Sequence, residues 1–169
     1  TIPAIFGGLI IKNHIELFFS SVFYSGICLC FTGFMLFLLK LRETKDYPIH
    51  YTTAFIIGIA QMFAILPGIS RSGITITLAI LIGISGTTAF RFSFLLAIPI
   101  ITGAGILSFF DIQNLDSSLI LPLLFGSITA AITGFMALKI LHRMIIEKKM
   151  WWFSIYCLIL GLIGIYFGI

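Results

Sequence analysis

The chain alternates long apolar runs with short polar breaks. Val22–Leu39 is an uninterrupted apolar span that ends at Lys40 and Arg42. RETKDYPIH, residues 42–50, is a polar loop. Tyr51–Ser85 is apolar again but is interrupted at Pro67-Gly68. Thr87–Phe110 follows, with Pro99 at the expected position of a kink. DIQNLDSS, residues 111–118, is a polar loop without Lys or Arg. Leu119–Leu138 is the next span and ends in KILHRMIIEKK, a basic loop over 139–149. Trp151–Phe167 is the last span, and its two Trp suit a lipid–water interface. Ahead of these runs, IPAIFGGLII is too short to cross a hydrocarbon core of about 30 Å. It reads as the tail of a helix that starts upstream, so the chain reads as the second part of a longer protein.

Apolar runs of about 18 residues or more mark membrane helices. The pattern therefore predicts an all-α polytopic membrane protein, with residues 1–169 forming a single transmembrane domain. Composition agrees: 60% of residues are hydrophobic, 9% are charged, and mean hydropathy is +1.19. A soluble fold could not cover that much apolar surface. The net charge of +4 has to be read loop by loop and is no nucleic-acid footprint. Cys28, Cys30 and Cys157 all fall in apolar spans, where packing is the expected role.

The interrupted unit is the informative one. As helices, Thr53–Leu66 would be about 21 Å long and Ser70–Ile84 about 22 Å. Each is short for a span, and end to end they are too long for one. Pro67 breaks the helix and Gly68 supplies the turn, which predicts a re-entrant hairpin over about 51–85. Loop charges point the same way. Lys40, Arg42 and Lys45 flank one loop, and Lys139, Arg143, Lys148 and Lys149 another, while 111–118 carries two Asp and no base. The positive-inside rule puts both basic loops in the cytoplasm only if 51–85 returns to its own side. The hairpin mouth is then cytoplasmic and its tip near the midplane.

Non-helical backbone at that depth must be buried in protein or line a wet cavity. The second half-helix begins near Ser70, so its N–H groups and positive dipole end face the midplane. Arg71 lies on its first turn, with the hydroxyls of Ser70, Ser72 and Thr75 beside it. Amides, a guanidinium fork and hydroxyls together suit an anion, phosphate best of all. The structural alternative is that Arg71 pairs with helix carbonyls and Ser70 is a simple N-cap. Arg91 sits about one turn inside a helix and can snorkel to the interface. Gln61 could hydrogen-bond across the hairpin. His14, His50 and His142 show no ligand spacing.

GIAQMFAILPGISRSGITIT followed by AFRFSFLLAIPIITGAGI resembles the undecaprenyl-pyrophosphate phosphatase family, the bacitracin-resistance type. The PGxSRSGxT signature stands as Pro67, Gly68, Ser70, Arg71, Ser72, Gly73 and Thr75, and RFSFLLAIP as Arg91–Pro99. The likeness covers the family's second half. It implies a bacterial plasma (inner) membrane enzyme, multi-pass, built from two inverted repeats with re-entrant pairs, of which this chain carries the second. The implied reaction removes the terminal phosphate of undecaprenyl pyrophosphate to recycle carrier lipid for the cell wall. Arg71 is the implied catalytic residue; Ser70, Arg71, Ser72, Gly73 and Thr75 bind pyrophosphate, and Pro67 and Gly68 form the break. A divalent cation, Mg²⁺ or Ca²⁺, is implied, to come with the first half, whose motif resembling EGxTEFLPISSTGH supplies two Glu, hydroxyls and a His. Those Glu positions fall here on Ala60 and Ala64, so no metal ligand is expected in this chain. The implied partners are the polyprenyl pyrophosphate lipid, the membrane and the N-terminal half, with a homodimer left open.

A transporter or flippase of lipid phosphate or another anion would use the same broken helix and Arg. Phosphate release with metal dependence marks the enzyme; substrate movement without it marks the transporter; a decayed fragment does neither. The loop charges predict that Ser117→Cys is labelled by an impermeant thiol reagent from outside intact cells, while Lys45→Cys and Lys148→Cys are protected. Labelling of Lys148→Cys with Lys45→Cys protected would show that 51–85 crosses the membrane.

Overall fold

The structure is a computed structural model and describes residues 15–41, 47–111 and 120–168. Those residues form seven α-helices and no strand: α1 (Ile15–Ser20), α2 (Val22–Leu38), α3 (Tyr51–Phe63), α4 (Arg71–Ile82), α5 (Gly86–Asp111), α6 (Ile120–Ile146) and α7 (Trp152–Phe167). A 3₁₀ turn over Leu39–Leu41 extends α2. Among them, α5 and α6 are long and apolar enough to cross a membrane. The polar loops at 42–46 and 112–118 lie outside the described residues.

The predicted apolar runs are helices, with one boundary moved. The sequence pattern ends a span at Leu138, but α6 runs on to Ile146. Residues 139–146 contain no Gly or Pro, so nothing stops the helix before Lys148 takes a left-handed φ of 54°. Lys139 and Arg143 are therefore helical. Just beyond, Glu147 accepts hydrogen bonds from Lys149 at 2.8 Å and Arg143 at 2.7 Å. These two cations hold its carboxyl down to about 2, Lys149 most strongly. The cluster is solvent-facing, so it shapes the turn more than it stabilises the fold. Pro99 lies inside a continuous α5.

Two helix pairs make the scaffold. In the first, α2 lies along α7 through a seam of small residues. A Cβ at Gly26 would meet the Gly161 carbonyl and the Ile165 amide at 2.8 Å, and one at Gly161 would meet the Cys30 amide at 2.9 Å. Backbones this close are how helices pack where lipid removes the hydrophobic drive between them. The half-buried Cys30 and the buried Cys157 belong to this packing. In the second, α3 folds back on α4, and α4 packs against α5 and α2. Ile57, Ile76, Ile84 and Ala89 are fully covered there. In contrast, α6 is exposed from Ile120 to Ile140, as suits a helix that faces lipid.

The break between α3 and α4 is closed locally and then fastened to α2. The end of α3 tightens into i→i−3 bonds, from Ala64 to Gln61, Ile65 to Met62 and Leu66 to Phe63, at 3.2–3.3 Å. Pro67 has no N–H to continue the ladder. Gly68 turns the chain at φ 92° against α2, where any Cβ would strike the Ser25 carbonyl. Thr32 of α2, 3% exposed, donates to the Gly68 carbonyl at 3.0 Å, with the Cys28 carbonyl at 3.2 Å as a shared acceptor. The same hydroxyl accepts from the Ser70 amide at 3.2 Å.

Thr32→Val keeps the side-chain shape and removes that hydroxyl. It leaves the Ser70 amide and the Gly68 carbonyl without their partner, at a cost of about 1–3 kcal/mol. The variant should melt below wild type in detergent. Ser127→Val, at an exposed hydroxyl on α6 that bonds only its own helix, should not. Equal melting of Thr32→Val and wild type would show that the break is held by other means.

Candidate functional site

The site is the first turn of α4. Ser70 stands outside the helix at φ −71°, ψ 114°, and its hydroxyl accepts from the Gly73 amide at 3.1 Å. It is an N-cap. Four N–H groups at a helix start lack an intrahelical acceptor, and here the Gly73 amide is taken by the cap while the Ser70 amide just outside is taken by Thr32. The Arg71 and Ser72 amides have no protein acceptor among the described residues. They carry the positive end of α4 into the break.

Arg71 is the first helical residue and is half-buried. Its Nη1 is buried without a hydrogen-bond partner. No carboxylate among the described side chains pairs with it; the ion pairs there are those of Glu147 with Arg143 and Lys149. Its backbone, in contrast, is well held. Thr75, 1% exposed, donates to the Arg71 carbonyl at 2.8 Å, and its oxygen lies 2.6 Å from the hydroxyl of Ser93 on α5. This chain of hydroxyls ties the first turn of α4 to a long apolar helix.

The structure thus divides the residues that sequence reading grouped together. Ser70 and Ser72 line the cleft beside the turn, and Arg71 keeps a buried, unpaired nitrogen. Gly73 and Thr75, read from the sequence as pyrophosphate contacts, commit their polar groups to the protein: the Gly73 amide to Ser70, the Thr75 hydroxyl to Arg71 and Ser93. Pro67 and Gly68 stand at the break as read. Arg91 is exposed on the first turns of α5, away from burial, as a snorkelling side chain requires. His50 is exposed, His142 stacks on Phe90 at 4.8 Å, and His14 lies outside the described residues.

A cleft of about 180 Å³ opens beside the turn. Thr32, Ser70 and Ser72 form its polar end, and Leu36, Phe153 and Cys157 part of its apolar remainder. That combination fits a molecule with an anionic head and a hydrocarbon body. Sequence reading missed Thr32 and Ser93. Both are hydroxyl residues within apolar helices, a weak signal that gains meaning only when the opposing helix is known.

Among the described residues no three His, Cys, Asp or Glu side chains converge. Ala60 and Ala64 occupy the positions at which the first-half motif would carry carboxylates.

Comparison with known proteins matches this sequence to a family. The bacitracin resistance protein BacA family matches residues 1–163. The undecaprenyl-diphosphatase of Methanococcus vannielii is 38% identical over 98% of this chain and 66% of its own length. That of Desulfosudis oleivorans is 40% identical over 99% of this chain and 62% of its own. Undecaprenyl-diphosphatase 1 of Bacillus licheniformis is 40% identical over 99% of this chain and 64% of its own. The chain therefore spans a little under two thirds of the length of these relatives. The chain belongs to the bacitracin resistance protein BacA family.

Proposed function

We propose that this chain supplies the diphosphate-binding part of an undecaprenyl-pyrophosphate phosphatase of the bacterial plasma membrane. One observation carries the reading. A helix start deep in an apolar fold presents two unpaired amides and a guanidinium with a buried, unpaired nitrogen, in a family whose relatives are named for acting on this diphosphate. The α3–α4 pair is read as re-entrant, with its mouth at the cytoplasm. The basic loops on either side support this, as does the shortness of each half-helix, 13 and 12 residues.

On this reading the diphosphate sits against the first turn of α4. The Arg71 and Ser72 amides donate to its oxygens along the helix axis. The Arg71 guanidinium offers a planar fork that can hold two phosphoryl oxygens at once. As the bond to the terminal phosphorus loosens, charge gathers on the departing and bridging oxygens. Donors fixed in advance stabilise that charge without having to reorganise. Thr75, Ser93 and Thr32 provide the fixing. The Ser70 hydroxyl is occupied as a cap and has no base beside it, so it orients rather than attacks. The nucleophile and the divalent cation come from residues other than those described here, and the polyprenyl tail lies along the apolar cleft or in lipid.

The test is substitution of Arg71 in an enzyme restored to the full length of its relatives, compared at equal amounts of monodisperse protein. Arg71→Ala should lower phosphate release from undecaprenyl pyrophosphate by about a hundredfold or more, since a charge-assisted contact to a transition state is commonly worth about 3 kcal/mol. Arg71→Lys should fall between Ala and wild type. Near-normal release by well-folded Arg71→Ala would make Arg71 a structural cation and end this reading.

A further inference from the structure

A second side chain at the break is stranded as Arg71 is. Gln61 of α3 is 2% exposed, and neither its Oε1 nor its Nε2 has a hydrogen-bond partner among the described residues. Burying a primary amide with neither end satisfied is costly, and native structures seldom do it without a reason. Gln61 belongs to the buried face of α3, with Ile57, Gly58 and Ala60. It lies two residues before the end of α3, and Gly73 lies two residues after the start of α4. In a pair of helices folded back on a short break, those positions share one level. Gln61 therefore stands at the depth of the amides and guanidinium described above.

We infer that Gln61 is a further binding residue for the diphosphate: its Nε2 donates to a phosphoryl oxygen and its Oε1 accepts from water held at the same ligand. The inference rests on the proposed function for the class of ligand, and on burial and missing partners for the residue. The stranded donors, Nε2 of Gln61 and Nη1 of Arg71, are what a phosphoryl oxygen accepts from. The Thr77 and Ser154 hydroxyls are buried without partners as well, but neither lies on the last turn of α3 or the first turn of α4, which flank the break. The ligand-free protein then carries a strained amide as the condition of binding, a known trade at functional positions.

The experiment is thermal melting of the purified chain in detergent micelles, titrated with undecaprenyl pyrophosphate and, as a control for the tail, undecaprenol. Wild type should be stabilised by the diphosphate and not by the alcohol, in proportion to occupancy. Gln61→Met replaces the amide by an apolar chain of similar shape. Its ligand-free melting temperature should equal or exceed that of wild type, while the diphosphate needed for half the shift should rise at least tenfold. Gln61→Glu, which places a carboxylate against the diphosphate, should raise it further. A Met variant that melts below wild type makes Gln61 a structural residue and overturns the inference. So does either variant titrating like wild type. A wild-type chain with no shift overturns the functional reading, and the inference with it.

Discussion

Everything in this fold depends on how a stretch of non-helical backbone is satisfied among apolar helices. Residues 64–70 leave the α-helical ladder, and their polar groups need other partners. The tightened end of α3 answers part of the demand, and the Ser70 cap another. One hydroxyl answers most of the rest: Thr32 serves the Gly68 carbonyl and the Ser70 amide together. Because Thr32 sits on α2, and α2 is locked to α7 through its small residues, the break is fastened to the most closely packed part of the molecule.

That arrangement explains why the remaining unpaired groups are where they are. The two amides left over belong to Arg71 and Ser72, side by side on the first turn of α4. The stranded side-chain nitrogens of Arg71 and Gln61 belong to the same pair of half-helices. Elsewhere within the apolar helices Thr75 pairs with Ser93, and Thr129 and Thr133 of α6 bond their own helix, while the Thr77 and Ser154 hydroxyls are buried without a partner among the described residues. The first turn of α4 thus carries a positive helix end and a guanidinium, and an apolar cleft with a hydroxyl-lined end opens beside Ser70 and Ser72.

Much of this was legible in the sequence because its causes are local. Pro67 and Gly68 announce the break by themselves, and Ser70 followed by Arg71 announces a helix start facing it. Apolar run length marks where the helices lie. What was not legible depends on partners distant in the chain. Thr32 meets the break from 36 and 38 residues away, and Ser93 meets Thr75 from 18. Without those partners, Gly73 and Thr75 look like phosphate contacts, since an amide and a hydroxyl on a first turn are chemically suited to it. The end of α6 was misjudged for the opposite reason. Charge suggests a loop at 139–149, but helix propensity without a Gly or Pro carries the helix on until the turn at Lys148.

The most direct test of the account is a titration of ¹⁵N-labelled protein in micelles with undecaprenyl pyrophosphate, followed by amide resonances. The Arg71 and Ser72 amides, which have no protein acceptor, should move strongly downfield as they bond phosphoryl oxygens. The Ser70 and Gly73 amides, already bonded to Thr32 and to Ser70, should move much less. Large shifts at Ser70 and Gly73 with Arg71 and Ser72 unmoved, or shifts confined to another helix start such as Gly86 and Thr87, would contradict the claim that α4 binds the diphosphate.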